Sequence, residues 1–161
     1  MRLPPDLEEI PMKLWMFFVI GAFLAWGCYV PTIHAGQVAF KGGSLRAFLF
    51  VGLAYFLTAV LVPLGLLGAK MEPWEFTGKG MALSTAAGVF GAVGALCVIL
   101  AMKTGGSPIV VAPLVFAGAP VIATLVSMTW HRPKTAPEIW FYIGLVLAAS
   151  GAAMVLRFRP H

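Results

Sequence analysis

The densest group of side chains able to do chemistry in this 161-residue sequence is Trp26, Tyr29, Pro31, Thr32, His34 and Gln37. It combines rings that stack, hydroxyl and amide groups that exchange hydrogen bonds, and an imidazole that can take up or release a proton. That mixture suits recognition of an amphipathic solute. A second reading is also open, in which the group is an interfacial aromatic belt at a helix end and His34 is simply solvated. The other candidate group is Pro113 and Pro120, which follow Pro108 and flank Gly118. An interior proline removes one backbone hydrogen bond and bends its helix. In lipid the freed carbonyl must be satisfied by a neighbouring helix, a hydroxyl or water, so these positions face either the bundle or a wet cavity, and plain packing kinks are the alternative. Trp26, Tyr29, Pro31, His34, Gln37, Pro113 and Pro120 are therefore the candidate substrate-pathway residues.

Catalysis is not expected. No nucleophile has a base beside it and no two carboxylates stand at catalytic spacing. The six carboxylates, Asp6, Glu8, Glu9, Glu72, Glu75 and Glu138, all fall outside or at the edge of the apolar stretches. Proton coupling through a buried carboxylate is disfavoured for the same reason. Cys28 and Cys97 sit inside apolar stretches, and with three histidines and neither CxxC nor HExxH the chain predicts no disulfide framework, no metal site and no cofactor. The net charge of +5 comes from basic residues scattered singly rather than in a stripe, which argues against nucleic acid as a partner.

The elements that must position these residues are membrane helices. Hydrophobic residues make up 60% of the chain and charged residues 11%, whereas charged residues run to roughly a quarter of a water-soluble domain. The expected fold is an all-α polytopic bundle of about five spans, at 14–35, 47–69, 81–102, 108–130 and 139–156. A polar leader at 1–13 precedes it and a short basic tail at 157–161 follows. A retained first helix is expected rather than a cleaved signal, because the leader is acidic as well as basic and the apolar run exceeds a signal core. The connections are too short for an independent domain. Between spans three and four, Gly105 and Gly106 permit positive φ, Ser107 can cap and Pro108 suits a first helical position, which predicts a tight hairpin. Trp15, Trp74, Trp130, Trp140 and Tyr142 lie near span ends, as an aromatic belt requires.

Two tracks of small residues predict close helix approach: Ala87, Gly91 and Ala95 with Gly88 and Gly94 in span three, and Gly144, Ala148 and Ala152 in span five. Nothing in the sequence separates a contact within one chain from a contact between copies. Five crossings place six basic residues on the N-terminal side (Arg2, Lys13, Lys70, Lys79, Arg132, Lys134) and five on the other (Lys41, Arg46, Lys103, Arg157, Arg159). Orientation follows the Lys/Arg imbalance, so this near-tie leaves two readings: one orientation set by another signal, or insertion both ways with antiparallel pairing.

From about Leu14 to Leu156 the chain resembles one five-helix repeat of the drug/metabolite transporter superfamily, of the EamA type. The likeness is carried by Ala25-Trp26-Gly27 with Pro31, Leu45-Arg46-Ala47-Phe48, Gly91-Ala92-Val93-Gly94-Ala95 through Ala101-Met102, Val111-Ala112-Pro113-Leu114, Ala119-Pro120-Val121, and Tyr142-Ile143-Gly144-Leu145 with Gly151. Where a Gly-Glu-Arg-like turn often follows the fourth helix, this chain has Trp130-His131-Arg132-Pro133-Lys134. The resemblance implies solute transport by alternating access in a bacterial-type cytoplasmic (inner) membrane. The usual member carries two repeats, so a single one implies a dimer with itself or with a paralogous half-unit. The expected partners are thus the lipid bilayer, a small uncharged or zwitterionic solute and a second half-unit, with spans one, three and four lining the cavity. A non-transporting membrane protein that binds or stabilises a partner is the alternative.

Overall fold

The computed structural model describes residues 12–130 and 135–159. Most of the expected leader, residues 131–134 and the last two residues of the tail lie outside them. Five helices are long and apolar enough to cross a membrane, and the chain is an all-α polytopic bundle. They are α1 (Met12–Ala39), α2 (Ser44–Gly68), α3 (Gly78–Lys103), α4 (Pro108–Trp130) and α5 (Ile139–Arg157).

The first helix runs four residues past its expected end, through Pro31 to Ala39, and the first connection shrinks to 40–43. The helix continues through Gln37, whose amide nitrogen is held by the bundle. The helix stops one turn later. The Lys41 and Gly42 amides donate to the Val38 and Gln37 carbonyls, both at 2.8 Å, with Lys41 at φ 51° and Gly42 at φ 78°. This six-to-one and five-to-two pattern closes the carbonyls a helix end leaves free.

α2 contains a π-helical turn at Leu57–Leu61, just before Pro63. Proline has no amide to donate to the preceding turn, and a π turn is a common way for a helix to absorb such an interruption. α3 starts on a Thr77 cap, whose Oγ1 accepts from the Gly80 amide at 3.2 Å. It ends at the predicted hairpin, where the two glycines have different tasks. Gly105 takes φ 109°. Gly106 has a negative φ; it is needed because a Cβ there would lie 2.7 Å from Val111 Cγ2 and 2.9 Å from the Ala101 carbonyl oxygen. At the start of α4 the Ser107 carbonyl accepts from the Val110 and Val111 amides at 3.0 and 2.9 Å.

Among the described residues α1 touches α2, α3 and α4, α3 also touches α2 and α4, and α5 packs against α4 alone. The half-buried stripe Leu145, Ala148, Ala152 and Val155 is the face α5 turns to that single neighbour. The core is confined to one end. Its buried apolar members are Val30, Ala47, Ala95, Val98, Ile99, Met102, Val110 and Val111, with the polar pair Gln37 and Ser44. These come from the second half of α1, the start of α2, the end of α3 and the start of α4, so they share one membrane face. The opposite halves of α1, α2 and α3 have no buried residue. The buried core lies at the face opposite the N-terminus, and the other halves of these three helices are largely exposed.

Candidate functional site

The α1 group of aromatic and polar residues does not act as one cluster; the structure divides it. Trp26, exposed, and Tyr29, half-buried against the core, lie at its edge on α1. Their ring centroids are 6.0 Å apart, and Trp26 makes an edge contact with Phe116 of α4 at 6.2 Å and 79°. A hollow of about 210 Å³ is lined by Ala25, Trp26, Tyr29 and Tyr55 of α2. It adjoins a groove of about 420 Å³ between α1 and α2, with Ala25 and Tyr29 in both walls and Thr32, Phe50 and Ala54 among the other lining residues. The Tyr29 hydroxyl is buried and has no hydrogen-bond partner.

α3 lines neither hollow. Its buried face at Ala95 continues, in steps of one helical turn, through Gly91, Gly88 and Ser84. A Cβ at Gly88 or Gly91 would meet nothing within 4 Å. The small-residue track is therefore split. Ala95 packs in the core and Gly91 lies at its margin, while Ala87, Gly88 and Gly94 are exposed. On α5, Ala148 and Ala152 lie against α4 and Gly144 is exposed. Pro113 is half-buried on α4 one turn from Phe116; Pro120 and Pro31 are exposed, Pro31 on the side of α1 away from the core.

His34 and Gln37 belong to the closed end. Gln37 Nε2 donates to Ser44 Oγ at 2.9 Å and to the Ile99 carbonyl at 3.0 Å, so one amide ties α1 to α2 and α3. Because a carbonyl can only accept, this contact fixes which way the amide points. It leaves Gln37 Oε1 buried without a partner, and His34 Nδ1 is in the same condition. The face is braced further by Arg46, whose Nη2 donates to the Phe40 carbonyl at 2.8 Å while its guanidinium lies 5.7 Å from the Phe40 ring centroid. Phe40 in turn stacks on Phe50 at 5.6 Å.

Sequence reasoning expected a cavity lined by spans one, three and four. The hollows instead lie between α1 and α2, with Phe116 of α4 at their edge. Tyr55 and Ser44 were missed. Tyr55 had a usable signal, as the one tyrosine in its span; Ser44, in the expected connection before span two, had none. Among the described residues no group of His, Cys, Asp and Glu could hold a metal ion. No protein-family model, no curated protein and no solved structure matches the chain.

Proposed function

We propose that this chain is one half of a solute transporter of the drug/metabolite transporter type in a bacterial cytoplasmic membrane, completed by a second copy of itself. The observation that supports this reading is the shape of the bundle. The end opposite the N-terminus is closed by a packed, hydrogen-bonded core, and beside it a groove between α1 and α2 runs from Ala25 and Ala54 to Phe40 and Ala47, with the Trp26–Tyr29 ring pair, tilted at 54°, and the unpartnered Tyr29 hydroxyl at one end. A buried hydroxyl without a partner carries a cost of about 1–3 kcal/mol, which water or a polar solute entering the cleft would relieve. A transporter built from paired repeats places its solute between the two halves, near the membrane midplane. The aromatic floor suits a small uncharged or zwitterionic solute with an apolar portion, held by ring stacking and one or two hydrogen bonds.

The second reading, a membrane protein that binds or stabilises a partner without transport, draws support from the absence of any carboxylate within the spans. Cysteine accessibility in intact membranes separates the two. In a background lacking Cys28 and Cys97, single cysteines at Tyr29, Pro113, Ala117 and Thr124 are exposed to a charged thiol reagent. Labelling at several of these positions is expected for a water-filled path; uniform protection in a folded protein would exclude it.

A further inference from the structure

The closed end carries a pocket that the cleft does not use. It has a volume of about 400 Å³ and is lined by His34, Gln37, Val38, Lys41, Gly42, Ser44, Met102 and Lys103. Gln37 stands about 12 Å along α1 from Tyr29, so this pocket is separate from the hollow at Trp26 and Tyr29, although the α1–α2 groove reaches Phe40 beside it.

Three observations converge on its ligand. The first is charge. On the N-terminal side six basic and six acidic side chains cancel; the five basic residues of the other side, with no Asp or Glu among them, account for the whole net charge of +5. Two of those five, Lys41 and Lys103, form the pocket's rim, both exposed. A third, Arg46, is engaged with Phe40. The second observation lies at the floor. Gln37 is 5% exposed, both protons of its amide nitrogen are used, and its Oε1 has no partner; His34 Nδ1 beside it has none either. A buried acceptor in that state calls for a donor. The third is location: the connection 40–43 and the end of α3 place the rim where helices leave the membrane, at headgroup depth.

We propose that this pocket binds a phosphoester that also carries a hydroxyl or ammonium donor. The phosphate lies between the Lys41 and Lys103 ammonium groups, and the donor reaches Gln37 Oε1. Two sources share that chemistry, the headgroup of a phospholipid such as phosphatidylglycerol and a water-soluble glycerol phosphate. Basic pockets between membrane helices are a known way to hold anionic headgroups. The site does not depend on whether the cleft transports a solute.

The test uses the purified full chain in neutral detergent, with short-chain phosphatidylglycerol, short-chain phosphatidylcholine and glycerol 3-phosphate as probes, and thermal unfolding followed by tryptophan fluorescence as a function of probe concentration. Phosphatidylglycerol is expected to stabilise the chain saturably, and phosphatidylcholine, which lacks the donor, to do so far more weakly. Stabilisation by glycerol phosphate as well assigns the site to the phosphoester itself; its absence assigns the site to a lipid headgroup. Both outcomes uphold the proposal. Each surface lysine is worth about 1 kcal/mol toward an anionic headgroup, so Lys41→Gln with Lys103→Gln is expected to weaken binding about 30-fold. Gln37→Leu should weaken it as well, but it also removes the bonds to Ser44 and to the Ile99 carbonyl, so lost binding there does not isolate the acceptor. Val38→Trp therefore serves as the independent variant, since Val38 is 63% exposed and lines the pocket. It fills the space without changing charge and is expected to abolish saturable binding. No stabilisation by either phosphoester, or full binding by the Val38→Trp chain, would overturn the proposal, the latter by reducing the effect to surface charge.

Discussion

Ser44→Ala should destabilise the bundle more than Gln37→Leu, although each side chain makes two hydrogen bonds. Ser44 Oγ accepts from Gln37 Nε2 at 2.9 Å in a site where both residues are buried, at 3% and 5% exposure. Removing the hydroxyl leaves a buried N–H without an acceptor, which costs about 1–3 kcal/mol. Gln37→Leu keeps the side-chain volume and deletes both of its bonds, to Ser44 and to the Ile99 carbonyl. Side-chain bonds between membrane helices average about 0.6 kcal/mol and reach about 1.7, so the loss is roughly 1–3 kcal/mol. The same substitution also removes the unpartnered Oε1, which returns about 1–3 kcal/mol. The net change is expected near zero, and adding Gln37→Leu to Ser44→Ala should recover most of the serine loss. The assay is unfolding in mixed micelles of rising dodecyl sulfate fraction, followed by circular dichroism, for the wild type, both single variants and the double variant. Strict additivity, or a glutamine variant clearly less stable than the serine variant, would refute the geometry of the clamp.

Other positions carry equally specific expectations. Gly106→Ala should cost about 1–3 kcal/mol in the same assay, because its Cβ runs into both Val111 and the Ala101 carbonyl. Gly88→Ala, which has open space within one chain, should be neutral or stabilising by up to about 1 kcal/mol. Lys70 closes α2 at φ 59°, with its amide donating to the Leu67 carbonyl at 2.9 Å. A left-handed conformation costs an L-residue about 1–2 kcal/mol, so Lys70→Gly should leave stability unchanged or raise it slightly, and a marked loss would show that the lysine side chain has a role of its own.

The helices were legible from the sequence because they depend on local composition: uncharged apolar runs, a Gly-Gly-Ser-Pro hairpin and aromatic residues at the span ends. Their boundaries were less so. α1 runs past its expected end at Ala35, and Gln37 within it finds an acceptor 62 positions away, the Ile99 carbonyl; such a partner leaves no local trace. The division of the α1 group was hidden for the same reason. Helical periodicity places Trp26 and Gln37 on one side of the helix, and only the positions of α2, α3 and α4 decide that one borders a cleft and the other a clamp. The track on α3 shows a further limit of pattern reading: small residues signal close approach, yet Gly88 and Gly91 approach nothing within the chain.

That open glycine face, together with the exposed first half of α1 and second half of α2, is what a second copy would cover. Counting copies therefore tests the central claim most directly. The chain is labelled with one fluorophore, reconstituted into vesicles at very low density, and counted by stepwise photobleaching. The account predicts two-step traces that persist on dilution and that give way to single steps when Gly88 is replaced by a bulky leucine. Single-step traces for the unmodified chain at every density would contradict it.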